Sequence, residues 1–436
     1  MTNNKFHITV FEHEKLLVGK GDKSISDEQF EALQKYHGNG VPFFNLIYNG
    51  VKFNKHVGVI QVGKTLIEVL PKADKNPQSE AIENKWRDIL IDMLRAVGGF
   101  DVKQTSSSNL KLKPNTILDL YFELFINEVE YLLHTGLVKQ YRKKEANVTA
   151  LKGSLQFNKH LQQNIIHQER FFVKHTTYDV EHTLHFILYK TIQVLKHLNT
   201  NAALQSRIGV LLLHFPEMPN TKIIESTFDK LVYSRKTQSY KSAIDIAKLI
   251  LLHYHPDVNK GKNDVLALMF DMNKLWEKFV YKSLLKHKSS DVTIKAQHSK
   301  SFWKPDTGNS RTIQPDIVIE HKDKYCVVLD TKWKNLGDYN PSAEDLKQMY
   351  VYHEYYAAHK VALVYPGAVN SKTDGSFFSP KGILLNDKQC SVVTFAIPDK
   401  DKSGSSIKQL QSNIHRKFER WINPKSKPSE KAESTT

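Results

Sequence analysis

Cysteine is almost absent from this sequence: Cys326 and Cys390 are the whole complement in 436 residues. Two thiols leave no disulfide framework and no cysteine-based zinc site, and they suit a reducing compartment. Long apolar runs are missing as well. No stretch reaches the ~20 apolar residues that cross a bilayer, and Met1-Thr2-Asn3-Asn4-Lys5-Phe6-His7 has no apolar signal core. A cytoplasmic protein without a membrane partner is therefore expected. The histidines do not replace the missing thiols. Glu181-His182-Thr183-Leu184-His185 lacks the i, i+4 pair of a zincin helix, and His253-Tyr254-His255 has no third ligand in view. No G-x-S-x-G elbow occurs and neither cysteine has a nearby base in sequence, so covalent nucleophilic catalysis is not indicated. Internal repeats and heptads are also absent.

What is present is positive charge. Sixty-two Lys and Arg against 46 Asp and Glu give a formal +16, spread along the chain. Such a surface favours polyanions, nucleic acid first, because neutralising phosphates drives binding. The length predicts two or three domains. Residues 1–78 read as a β-rich module with one helix opened by the capping box Ser26-Asp27-Glu28-Gln29 and closed at His37-Gly38. Residues 79–255 read as mainly helical. Trp86, Ile89, Leu90, Met93 and Leu94 form one stripe before a Gly98-Gly99 stop, and further helices follow at about 115–134, 181–198, 202–213 and 242–254. Between them, 141–172 is polar and basic with one extended piece around Leu151-Lys152-Gly153-Ser154-Leu155. The polar break at 255–263 is the best linker. Beyond it, residues 264–400 read helix (about 264–287), strand (291–300), two hairpin strands, helix (342–358), strand (360–365) and further strands near 383–397, an order that builds a mixed sheet flanked by helices. A last helix and a charged, disordered tail are expected over 401–436.

The chemistry concentrates in the hairpin Thr312–Glu320 and Tyr325–Lys334. With a loop of about three residues, Asp316 falls opposite Asp330, and strand alternation puts Asp330 and Lys332 on one face. Carboxylates are the usual ligands of Mg²⁺, which keeps several waters and accepts phosphate oxygens, while a lysine orients an attacking water. Metal-dependent phosphodiester hydrolysis needs such a set. On the preceding helix, Met272, Leu275, Trp276, Phe279 and Val280 form the buried stripe, and Glu277 lies at its edge. It either reaches the metal or is an ordinary solvent-facing glutamate. The later helix opens with Ser342-Ala343-Glu344-Asp345 and places Gln348 and Tyr352 on one face, suited to phosphate or water, with Tyr355 and Tyr356 as stacking surfaces or core.

Gly58-Val59-Ile60-Gln61-Val62-Gly63-Lys64-Thr65 matches the phosphate-loop pattern letter for letter. Yet Leu66-Ile67-Glu68-Val69-Leu70-Pro71 after it alternates like a strand, where a phosphate loop requires a helix N-terminus. A hairpin turn at Gly63-Lys64 explains it better, and no nucleotide is expected on this chain.

Glu277, Pro315-Asp316, Asp330-Thr331-Lys332 and Gln348-Met349-Tyr350-Val351-Tyr352 resemble the PD-(D/E)XK nuclease superfamily, in its RecB-like Q-x-x-x-Y branch. More narrowly, Phe270–Glu277, Leu329–Lys334 and Asp345–Tyr350 resemble the McrC family, nuclease subunits of McrBC modification-dependent restriction systems. Ile67–Lys72, Leu151–Leu155 and the helix after Tyr178-Asp179 are similar to that family too, and Trp276 stands where Phe is expected. The resemblance implies a multidomain α+β chain whose 264–400 region is an α/β PD-(D/E)XK endonuclease domain with a mixed sheet. It implies Asp316, Asp330, Lys332 and Glu277 as catalytic residues, Asp316, Asp330 and the Thr331 carbonyl on Mg²⁺ (with Mn²⁺ able to substitute), and Gln348 and Tyr352 on the substrate strand. It also implies double-stranded DNA carrying a 5-methylcytosine-type mark as target. The partner implied is an McrB-like AAA+ GTPase hexamer, whose hydrolysis the N-terminal part of this chain stimulates. A non-catalytic DNA-binding activator of such a ring, or a free-standing RecB-like nuclease, are the alternatives.

Overall fold

In the computed structural model the described residues are 7–19, 23–38, 40–71, 80–97, 116–255, 264–286, 290–322, 325–334, 336, 340–397 and 406–422. The Gly98-Gly99 stop, the break after His255 and the expected disordered tail lie outside them. The chain divides into two units, one from Met1–Val59, Ile67–Gly99 and Met269–Thr436, the other from Ile60–Leu66 and Phe100–Leu268. Among the described residues no helix is long and apolar enough to cross a membrane.

The first unit begins with the strand His7–Phe11 and a small sheet ordered Ser24–Ile25, Lys15–Val18, Gly50–Phe53, Phe44–Ile47. Its helix, Asp27–Gly38, carries the expected capping box. Ser26 N donates to Gln29 Oε1 at 2.9 Å, and Gln29 N donates to Ser26 Oγ at 3.2 Å. The phosphate-loop look-alike is a turn. Gly63 adopts φ 58° between the strands His56–Val62 and Thr65–Leu70, and no helix follows it.

The second unit is built on the helices Ile117–Thr135, Thr183–Leu198, Ala202–His214 and Lys241–Leu252. Ile117, Phe125, Ile187, Ile192, Ile246 and Ile250 are fully buried among them. The polar stretch 141–172 holds more strand than the single extended piece expected. Gln140–Val148 and Phe171–Asp179 pair antiparallel over nine residues, and Ser154–Leu155 joins as a third strand. Most of Gln140–Val148 is exposed on both faces, so the apolar/polar alternation that marks a half-buried strand never forms in its sequence. Gly153, at φ 76°, sits where a Cβ would lie 2.3 Å from the Lys174 carbonyl oxygen, which requires glycine.

The rest of the first unit carries the elements α1 (Met272–Leu285), β1 (Val292–Ala296), β2 (Ile317–His321), β3 (Cys326–Thr331), α2 (Ala343–Tyr355), β4 (Lys360–Gly367), β5 (Ser371–Phe378), β6 (Leu384–Ala396) and α3 (Ser406–Ile422). The six strands form one mixed sheet in the order β1-β2-β3-β4-β6-β5, parallel at β3/β4 and β4/β6 and antiparallel elsewhere. The helix expected from about 264 starts late. Val265–Asp271 is a strand, and Asp271 caps α1 by accepting from Asn273 N at 3.0 Å. The polar β5 was also not expected.

Helix α2 is the crossover between parallel β3 and β4. It buries Met349, Tyr352 and Tyr356 on Val318, Val328, Val361, Leu363 and Tyr365. Strand alternation sends Phe395 to the other face, where it meets Phe418 of α3 at 6.0 Å, and α3 in turn packs on α1. The sheet is thus sandwiched between helices.

Candidate active site

Two neighbouring strand ends build the site. The register Ile317↔Leu329, Val318↔Val328, Ile319↔Val327 fixes β2 against β3, and His321 N donating to Tyr325 O at 2.8 Å closes the hairpin. One step past Ile317↔Leu329, Asp316 meets Asp330. Thr331 holds Asp316 in place, its N and Oγ1 donating to Asp316 Oδ2 at 2.6 and 2.7 Å. Lys332 Nζ lies 2.6 Å from Asp330 Oδ2 in an ion pair. All of this sits at the carboxyl end of β3, beside the parallel pair, where open α/β sheets leave a crevice.

Helix α2 completes one side. Lys332 Nζ donates to Gln348 Oε1 at 3.3 Å, Gln348 Nε2 donates to Tyr352 Oη at 2.7 Å, and Tyr352 Oη donates to the Gln314 carbonyl at 3.1 Å. An ammonium only donates, so Lys332 fixes which way the Gln348 amide points and hence the direction of the chain. The i, i+4 spacing of Gln348 and Tyr352 makes this possible. Asp345, on the same helix, lies 4.0 Å from Lys332 and 2.6 Å from Lys334.

Helix α1 supplies the other side. Its stripe of Met272, Leu275, Trp276, Phe279 and Val280 is buried, and Trp276 Nε1 donates to the Val364 carbonyl at 3.2 Å. Glu277 is not solvent-facing: it is only 8% exposed and accepts from Gln297 Nε2 at 3.2 Å. Gln297 also donates its N–H to the Asp316 carbonyl, and its own carbonyl accepts from Gln314 Nε2. Sequence reasoning missed Gln297, Gln314 and Lys334. Gln297 follows β1 at φ 48°, and nothing in its sequence neighbourhood signals that turn.

Burial raises the Asp316 carboxyl in spite of the two Thr331 hydrogen bonds, and burial together with Asp316 raises Asp330. Glu277 is pushed up to about 7 by burial, then by the charges of Asp316 and Asp330. Burial works against the Lys332 ammonium, but Asp330, Asp316 and Asp345 outweigh it and raise the group, so the cation persists. The site is a cluster of three carboxyls short of positive charge. Among the described residues no three His, Cys, Asp or Glu side chains stand ready-made around one metal position. Asp316 and Asp330 are the neighbouring carboxyls here that could hold a cation, with waters completing its shell.

The family model described as "McrBC 5-methylcytosine restriction system component" matches residues 51–366, well over half the chain and all of the site. The chain belongs to this family. Within the McrBC family it is similar to the type IV methyl-directed restriction enzyme EcoKMcrBC of Escherichia coli strain K12, 25% identical over 261 residues, covering 55% of this chain and 71% of the relative. Its fold resembles a chain in the refined half-complex of Thermococcus gammatolerans McrB AAA+ hexamers with bound McrC. That match has a TM-score of 0.65 and 17% identity, and covers 95% of this chain and 100% of the other. A second structure, the McrBC complex of the same organism, matches with a TM-score of 0.46 and 18% identity over 64% of this chain and 87% of that one. The fold of this chain is mixed α/β and multidomain.

Proposed function

We propose that this chain is the endonuclease subunit of a 5-methylcytosine-type, modification-dependent restriction complex. It hydrolyses DNA phosphodiesters with Mg²⁺, through a PD-(D/E)XK domain, when assembled on a McrB-like AAA+ GTPase hexamer. The observation that carries the reading is the Asp316–Asp330–Lys332 cluster at the open end of β3, with Gln348 and Tyr352 aligned behind the lysine.

The residues suit Mg²⁺. Both hydrogen bonds from Thr331 go to Asp316 Oδ2, and burial raises both aspartates, a cost of carrying charge there that a bound cation would offset. Mg²⁺ is commonly held by one or two carboxylates with several waters retained, so a two-aspartate site with the Thr331 carbonyl as a further ligand is sufficient. When bound, the ion lowers the pKa of a coordinated water and offsets charge on the phosphoryl oxygens. Lys332, fixed between Asp330 and Gln348, orients the attacking water and stabilises the extra charge of the pentavalent transition state. Glu277 accepts a hydrogen bond from, or a proton of, water on the α1 side. Gln348 and Tyr352 hold the substrate strand against the crossover helix.

Asp330→Ala and Lys332→Ala each abolish cleavage in the reconstituted complex, while circular dichroism and co-purification with the AAA+ partner stay as in the wild type. Cleavage retained by Asp330→Ala would sink the mechanism. The burial that raises the Asp316 and Asp330 carboxyls favours, as a second reading, an activator that holds DNA without cutting it, since a protonated carboxyl is a poor metal ligand. Calorimetric titration separates the two, since a nuclease site takes up Mg²⁺ or Mn²⁺ and loses that uptake in Asp330→Ala.

A further inference from the structure

Between β1 and β2 the chain makes a small two-stranded ribbon, Lys300–Trp303 paired antiparallel with Arg311–Ile313. All four residues of its first strand are exposed, Phe302 at 44% and Trp303 at 57%. The register shifts between Ser301 and Trp303, so Phe302 is an extra residue in a bulge, a device that re-aims a side chain. Phe302 turns to Tyr355 of α2, itself 45% exposed, with ring centroids 5.0 Å apart. Two rings, Phe302 and Tyr355, thereby meet at the surface, Trp303 is exposed next to Phe302 in the strand, and lysine and arginine lie near them. Arg311 lies directly opposite Trp303, Lys304 follows it, and Lys300 Nζ bonds the Tyr355 carbonyl.

The ribbon is tied to the candidate site rather than free of it. Tyr356 Oη donates to the carbonyls of His298 and Ile313, at the two roots of the ribbon. The next residue, Gln314, accepts from Tyr352 and so ends the chain that begins at Lys332. The root of the ribbon is thus joined to Lys332 through Tyr352 and Gln348. An aromatic cluster in water favours a flat, stackable partner, and the adjoining cations favour a polyanion. Nucleic acid offers both.

We propose that the Phe302–Trp303 ribbon, with Tyr355, is a DNA-gripping subsite: Trp303 and Phe302 stack on bases or deoxyriboses flanking the cut, and Arg311 and Lys304 take adjacent phosphates. This rests on the nuclease reading above, yet it is tested by binding rather than by cutting, so the two fail separately. The probe is a fluorescein-labelled duplex with a short single-stranded overhang, whose unstacked bases can meet the rings, read by anisotropy with the full chain in EDTA, where metal-dependent cleavage is silent. Trp303→Ala weakens binding by about five- to tenfold, the lower end of what a base–aromatic stack contributes, and Trp303→Phe restores most of it. Arg311→Ala lowers the slope of log K against log salt by about one. In the complex with Mg²⁺, Trp303→Ala raises KM with kcat little changed. Unfolding midpoints stay at the wild-type value, because the side chain is exposed. Unchanged anisotropy in Trp303→Ala and Phe302→Ala overturns the proposal. So does loss of partner co-purification in those variants with DNA binding intact, which would make the ribbon a protein contact.

Discussion

At the scale of single residues, Glu277 is the group whose protonation the fold controls most openly. Burial and two like-signed neighbours raise it from an ordinary 4.5 to about 7. Between those two values the folded chain holds a proton that the unfolded chain has released, so folding is favoured at the acid end and loses that advantage as pH rises toward 7. Asp330 and Asp316, also raised, act with the same sign. Buried histidines with lowered pKa values, such as His182 and His185, act with the opposite sign, so the test is a difference: in EDTA the thermal midpoint of the wild type minus that of Glu277→Gln should fall between pH 5 and pH 8. Each pKa unit abolished removes about 1.4 kcal/mol of that dependence. Equal slopes for the two proteins would refute the electrostatic account. The site's aspartates were legible in the sequence because strand period and a short loop leave little freedom in where Asp316 and Asp330 fall. Gln348 and Tyr352 were legible through helical spacing. Gln297 was not, because it reaches Glu277 from twenty residues away through a turn of positive φ.

At the scale of elements, the site depends on how α1 and the end of β3 are clamped. Trp333, next to Lys332, is nearly buried. Its ring meets Trp276 of α1 at 5.7 Å and Trp86 of the Glu80–Val97 helix at 6.3 Å, both edge-on, as aromatic quadrupoles prefer. Its N–H groups are satisfied as well, the indole by Glu12 Oε1 at 3.1 Å and the backbone by Asn273 Oδ1 at 3.1 Å. Trp333→Ala should cost about 3–5 kcal/mol in urea unfolding, the usual range for a buried aromatic, and should loosen Lys332. Trp333→Phe should recover most of the stability but not the Glu12 hydrogen bond. A cost below about 1 kcal/mol would show that the three indoles are not a clamp. Sequence patterning identified Trp86 and Trp276 as buried, since both lie on helical stripes, but could not bring them together. The same limit explains the other differences. Val265–Asp271 is a short continuous apolar run, which a helix and a buried strand share, and only the Asp271 cap marks the change. β5 is polar and finds its place only by pairing with β6, a contact that no local pattern encodes.

For the whole molecule, a formal charge of +16 sets what can and cannot be read on DNA. Charge spread along a chain neutralises phosphates, and phosphates are the same on every sequence and on methylated and unmethylated DNA alike. Discriminating a methyl group in the major groove takes side chains placed on a base edge. The candidate site instead presents a lysine, an amide and a phenol, which suit a phosphate, beside carboxyls that do not recognise a methyl group. This chain alone should thus bind DNA tightly at low salt without regard to modification. With about four to six phosphate contacts, its affinity should fall on the order of a hundred- to a thousandfold between 50 and 200 mM salt. Filter binding on matched duplexes with and without 5-methylcytosine measures both quantities. The expected ratio for the chain alone is close to one, with preference appearing only when the proposed AAA+ partner is added. A tenfold preference shown by the isolated chain would place the reading of the mark here, and the proposed cutting subunit would then also choose its target.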